Sequence, residues 1–178
     1  MSLVKPSELP QIALLRASRA LGAFTDCYVA EVDGTVLLSV FVEAFYTTAL
    51  FKVERTILKW LAGKPSTDAD AKKLGEGTTD FFAAWRVESR SSEQLLLVDF
   101  TGRTKSWLMV VPVSGATGQV QTRLYFGSAV IPRKGSTSGA RKMDFAFRAL
   151  LGFHRLYSRL LLRSACTRVL AIRKTRVL

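Results

Sequence analysis

Histidine and cysteine are the residue types that most often carry nucleophilic or metal chemistry, and this chain of 178 residues holds one histidine, His154, and two cysteines, Cys27 and Cys166. A His–Cys pair needs adjacent side chains, yet twelve residues of one helical stretch separate His154 from Cys166, a rise of roughly 18 Å. A lone histidine with two distant cysteines also falls short of a zinc ligand set, and no carboxylate cluster completes it. His154 therefore reads as a packing or capping residue. Glu43 and Glu54 interrupt apolar helical runs and invite a paired-carboxylate reading. On a continuous helix they would lie roughly 16 Å apart, beyond the ~5–9.5 Å of glycosidase pairs, although a kink at Thr47–Thr48 would shorten that distance. Ion pairs with Arg55, Lys59 or Arg123 are their expected fate; a buried, unpaired one would instead orient a ligand. The glycines form no GxGxxG, P-loop or GxSxG arrangement. No catalytic residue and no cofactor is expected.

The charge points elsewhere. The formal net charge is +12, and from Arg141 onward ten Lys or Arg stand against one acid, Asp144, a net of +9. Arg148, Arg155, Arg159 and Arg163 fall on one helical stripe, which reads as a solvated face, as a contact with an anionic membrane surface, or as a phosphate-binding face. No helix-turn-helix, RNP or zinc-finger pattern accompanies it, so nucleic acid is not expected. The two distant cysteines and the absence of a signal-peptide pattern at Met1–Pro10 point to reduced thiols in a cytoplasmic protein. The most apolar run, Val36–Phe51, is interrupted by Glu43 and is shorter than the ~20 residues a bilayer needs.

Around these residues the chain reads as one domain over 1–178. Ser7–Gly22 carries helix signals and would form a cover over residues 1–22. Asp26–Val32 alternates and ends at Asp33–Gly34, a strand closed by a turn. Ser39 would cap a helix through VFVEAF, followed by a helical LFKVERTILKWL; two short helices or one kinked helix both fit. Thr67 and Asp70 have capping-box spacing and predict a short helix to Leu74, stopped by Gly75. The period then changes to two: Asp80–Arg90, Glu93–Phe100, Lys105–Val113 and Gln119–Ile131 read as strands, the middle pair a hairpin. After the loop Pro132–Ala140, a helix over Arg141–Ser164 shows Phe147, Leu150, Leu151, His154, Tyr157 and Leu161 at three- and four-residue spacing. Residues 165–178 read as a basic tail. The class is α+β, an antiparallel meander with the last helix lying across it.

That order resembles the START-like (SRPBCC) superfamily, the helix-grip fold in which a curved antiparallel sheet wraps a long C-terminal helix. The segments AFYTTALFKVER, DFFAAWRVE, TKSWLMVVP and TRLYFGSAVIP also resemble an uncharacterised group of bacterial proteins associated with it. The resemblance runs from about Asp26 to about Ser164, although about five strands are counted where the fold has six or seven. It implies a cavity between sheet and helix for an apolar or amphipathic small molecule or lipid, and it implies no reaction.

The expectation is therefore non-catalytic binding in that cavity. Phe45, Trp85, Met109, Phe126, Phe147 and Tyr157 would line it, and Arg123 or Glu43 would orient a polar end. The alternative is an interaction protein whose basic helix and tail dock on an anionic membrane or an acidic partner; a cyclase-type enzyme is third.

Overall fold

A computed structural model describes the backbone of residues 3–62, 65–115, 118–131 and 140–176, and the side chains within these ranges except 57–62, 140–154 and 176. The elements run β1 (Lys5–Pro6), α1 (Arg16–Ala20), β2 (Phe24–Asp33), α2 (Leu38–Tyr46), α3 (Ala49–Ala62), α4 (Asp68–Glu76), β3 (Phe81–Phe82), β4 (Trp85–Arg90), β5 (Gln94–Asp99), β6 (Thr104–Ser114), β7 (Val120–Val130) and α5 (Ala140–Arg176). The class is α+β: an open, curved antiparallel sheet of seven strands in the order β1-β2-β7-β6-β5-β4-β3, with a long C-terminal helix.

The five expected strands are present, and two short ones join them. β1 pairs only with Val29 and Tyr28 of β2. β3 arises because the expected strand Asp80–Arg90 reverses on itself: Ala83 takes a positive φ of 51°, so Phe81 and Phe82 pair back on Arg86 and Trp85. The β5–β6 hairpin is closed by Asp99, whose Oδ1 accepts the N–H groups of Arg103 (2.8 Å) and Thr104 (3.1 Å).

Three helical expectations shift. The N-terminal cover is helical only over Arg16–Ala20. Two helices, not one kinked one, meet at Thr47–Thr48, where the Thr47 hydroxyl donates back to the Glu43 carbonyl (2.7 Å) and the Thr48 hydroxyl accepts the Phe51 N–H (3.1 Å). The first of them is entered through an extended Leu37 with no side-chain cap, rather than through Ser39. The Thr67–Asp70 capping box is present, but the left-handed stop of α4 is Gly77 (φ 77°). Gly75 lies inside that helix, and its role is close approach: a Cβ there would sit 2.6 Å from the Ser39 carbonyl oxygen.

The sheet is buried on both faces. Leu95, Leu97, Leu108, Val110, Leu124 and Phe126 pack against α2 and the C-terminal half of α5, where Ser158, Leu161, Leu162, Ala165, Cys166 and Val169 are buried at three- and four-residue spacing. The expected basic tail is helix as far as Arg176. Two of its cations bond the protein itself: Arg168 Nε donates to Thr47 Oγ1 (2.6 Å), and Arg173 Nη1 to the Asp33 carbonyl (2.5 Å).

On the other face Leu9, Ala13 and Leu15 cover Cys27, Leu96, Trp107, Met109 and Ala129. The segment that brings them carries little regular structure, and the buried amide of Gln94 holds it. Its Oε1 accepts the Leu14 N–H (3.0 Å) and Trp107 Nε1–H (2.9 Å), while its Nε2 donates to the Ile12 carbonyl (2.9 Å). Gln94→Leu keeps the volume and strands those partners, so a loss of about 2–4 kcal/mol in urea unfolding is expected. Gly75→Ala would stabilise an open helix by about 1 kcal/mol; here the contact with Ser39 reverses the sign, and a destabilisation of about 1–3 kcal/mol is expected by the same measurement.

Candidate ligand-binding site

Among the described residues, those expected to line a sheet–helix cavity are divided between the two faces of the sheet. Phe45 and Phe126 do meet, with ring centroids 4.7 Å apart, but Phe45 also packs on Tyr46 (5.1 Å) and Phe51 (6.3 Å). Phe45 and Phe126 are 1% and 5% exposed, and both belong to the first core. Met109 lies on the opposite face beside Trp107, because β6 alternates and α2 and α5 cover its Leu108 and Val110 face. Trp85 is half-buried at the margin of the first core, with its Nε1 buried and without a hydrogen-bond partner. Arg123 is exposed on β7, and its Nε donates to Glu31 Oε1 at 2.7 Å across the β2–β7 register; it orients nothing inside. Glu43 is half-buried on α2. Phe147, Arg148 and His154 lie outside the described side chains.

An open cleft of 570 Å³ lies instead at the corner where β2 begins. Strand pairing on the outer side of β2 stops at Tyr28 among the described residues, and the Ser7 N–H to Cys27 carbonyl bond (2.9 Å) is the last rung. Beyond it the chain from Pro6 to Leu9 forms one wall, Ala23 to Tyr28 the floor, and Arg19 and Arg155 reach the cleft from α1 and α5. Of the expected binding residues whose side chains are described, only Arg155 lines it. Phe45, Trp85, Met109 and Phe126 belong to the packed apolar faces, whereas the cleft lies at the start of β2.

Its chemistry is mixed. Leu9, Ala23 and Phe24 supply apolar surface, Arg19 and Arg155 cations, and Glu8 and Asp26 carboxylates. Asp26 is held by Ser128, whose N–H and Oγ–H both donate to Oδ1, at 3.1 and 2.5 Å. A carboxylate in a strand that otherwise alternates Tyr28, Ala30 and Val32 inward was the available sequence signal for this corner. Burial, and then the negative charge of Asp26, push the Cys27 thiol up to about 12; burial does the same to Cys166. Both thiols are protonated at neutral pH and are not nucleophiles. Burial is also the main cause raising the Tyr28 hydroxyl, against the opposing charges of Arg155 and Arg159. The corner can bind and orient a molecule; it presents no activated attacking group.

The second titratable feature is the contact of α3 with α5. The Tyr157 hydroxyl donates to Glu54 Oε2 at 2.5 Å, so this glutamate has a phenol as partner; of the cations expected to pair with it, Lys59 lies outside the described side chains and Arg123 is bonded to Glu31. Arg55 is engaged by Asp68 (2.7 Å). Burial raises the Glu54 pKa, and the bond from Tyr157 opposes that rise. A glutamate with a raised folded-state pKa binds protons more readily when folded. Stability therefore increases as pH falls through that pKa toward the ordinary glutamate value of about 4.3. Glu54→Gln should be at least as stable as the parent at neutral pH and should lose this rise on mild acidification, whereas Tyr157→Phe should cost about 1–3 kcal/mol at neutral pH. Urea midpoints across the weakly acidic range measure both.

Among the described residues there is no group of three His, Cys, Asp or Glu placed to hold a metal ion, and no helix long and apolar enough to cross a membrane. No protein-family model matches the chain, and no curated protein matches it.

Proposed function

We propose that this protein binds an amphipathic small molecule or lipid, without covalent chemistry, in the corner cleft between the start of β2, the N-terminal segment and α5. The observation that carries the reading is the cleft itself. Its 570 Å³ falls within the range of about 300–1,000 Å³ typical of small-molecule sites, and apolar surface adjoins two arginines and two carboxylates there. An apolar chain would lie along Leu9, Ala23 and Phe24, and a head group with both acceptors and donors would meet Arg155 and Asp26. The curved antiparallel sheet and long final helix are compatible with the resemblance to helix-grip proteins, which implies a ligand held between sheet and helix. The ligand expected between the packed faces is thus moved to their open corner.

Native mass spectrometry of protein purified from its own host, followed by denaturing analysis of what co-purifies, tests the reading. A stoichiometric amphipathic molecule is expected. Thr25→Trp, which fills the cleft from its floor, should lower occupancy at least tenfold, while the core change Phe45→Leu should lower stability and leave occupancy in place. A clean apo mass combined with an apolar fluorescent probe whose binding ignores Thr25→Trp would count against the cleft.

A further inference from the structure

The outward face of α5 is not used by the cleft, apart from Arg155 at its margin. Positions 156, 160, 163, 167, 170 and 174 recur at three- and four-residue spacing and are all exposed, opposite the buried line of Leu161, Leu162, Ala165 and Val169. The exposed line holds leucines as well as cations: Leu156 is 57% exposed, and Leu160 and Leu170 are each 44% exposed. Arg155, Arg159, Arg163 and Lys174 flank them. No acidic residue follows Asp144 in the sequence. Arg168 and Arg173 turn inward to Thr47 and Asp33, while Arg155, Arg159, Arg163 and Lys174 are exposed.

We infer that this face docks in the plane of an anionic lipid surface, with Leu156, Leu160 and Leu170 entering the headgroup–acyl boundary and the arginines meeting lipid phosphates. Charge decides the occupant. A second copy of the same face would bring like charges together along the whole line. A nucleic acid would satisfy the arginines and leave the leucines against sugar and phosphate. An anionic bilayer satisfies both sets at once, and the stretch from Arg155 to Lys174 presents them over roughly 28 Å of helix.

The experiment is co-sedimentation of the full chain with vesicles of mixed phosphatidylglycerol and phosphatidylcholine, against vesicles of phosphatidylcholine alone, at low and high salt. Binding to the anionic vesicles only, weakened by salt, is expected. Arg159→Glu with Arg163→Glu should weaken it by about thirty-fold or more, since each cation near such a surface contributes about 1 kcal/mol. Leu156→Ser with Leu160→Ser should weaken it comparably at unchanged charge. These four side chains lie outside the cleft, so both double variants should keep any co-purified ligand, which separates failure here from failure of the cleft reading. Circular dichroism melts confirm that the variants fold; should either fail to, Leu160→Ser and Arg159→Glu alone carry the comparison. Equal binding to both vesicle types, binding indifferent to the leucines, equal affinity for duplex DNA, or concentration-dependent dimerisation abolished by the leucine changes would each overturn the inference.

Discussion

One buried amide organises the back of this molecule. Gln94 begins β5, whose residues from Gln94 to Val98 are all buried, so both faces of the sheet must be covered. The helices cover one. The other is covered by a segment with too little regular structure to satisfy its own backbone, and Gln94 supplies the missing partners at Ile12 and Leu14 while fixing the Trp107 indole. Removing that segment would expose Trp107, an aromatic whose burial involves on the order of 150–250 Å². The same segment, continued back to Pro6, is the outer wall of the cleft. The site therefore rests on a polar interaction at the opposite end of the segment that forms its wall.

The final helix joins the first core to the exposed basic face. Its inner line closes the first core, and its end is tied to the β2–α2 turn through Arg173 and to the α2–α3 junction through Arg168. Thr122 secures that turn from the sheet side, donating to the Gly34 carbonyl at 2.7 Å and accepting the Val36 N–H at 3.0 Å. A helix held at these points presents its outer face with little freedom to roll. The rigidity suits a surface whose leucines and arginines must face one way together.

Local signals were read well where one short stretch contains the whole cause. The Thr67–Asp70 box needs only its own four residues, and β5 and β6 announce themselves as apolar runs joined by a turn, β7 by its alternation. β1 and β3 were missed because two residues carry no period, and the reversal at Ala83 lacks the glycine that usually marks a positive φ. Gly75 reads locally as a helix stop because the reason for it, the Ser39 carbonyl, comes from another helix. Residues 165–178 read as a tail because their arginines obscure the spacing of Ala165, Cys166 and Val169.

The sequence by itself determined the class, the antiparallel meander followed by a long helix, and the concentration of charge on that helix. Periodicity and composition are properties of the chain alone. Tertiary structure decided where the space is. Alternation places Trp107 and Met109 on one face of β6 and Leu108 and Val110 on the other, but both sets are apolar, so the pattern cannot say which meets α5. Phe45 and Phe126 could equally have lined a cavity or filled it, since pocket and core use the same side chains. Their rings pack 4.7 Å apart in the core, and the edge of β2 beyond its last pairing with the N-terminal segment leaves the cleft open, a result of how long neighbouring strands stay paired.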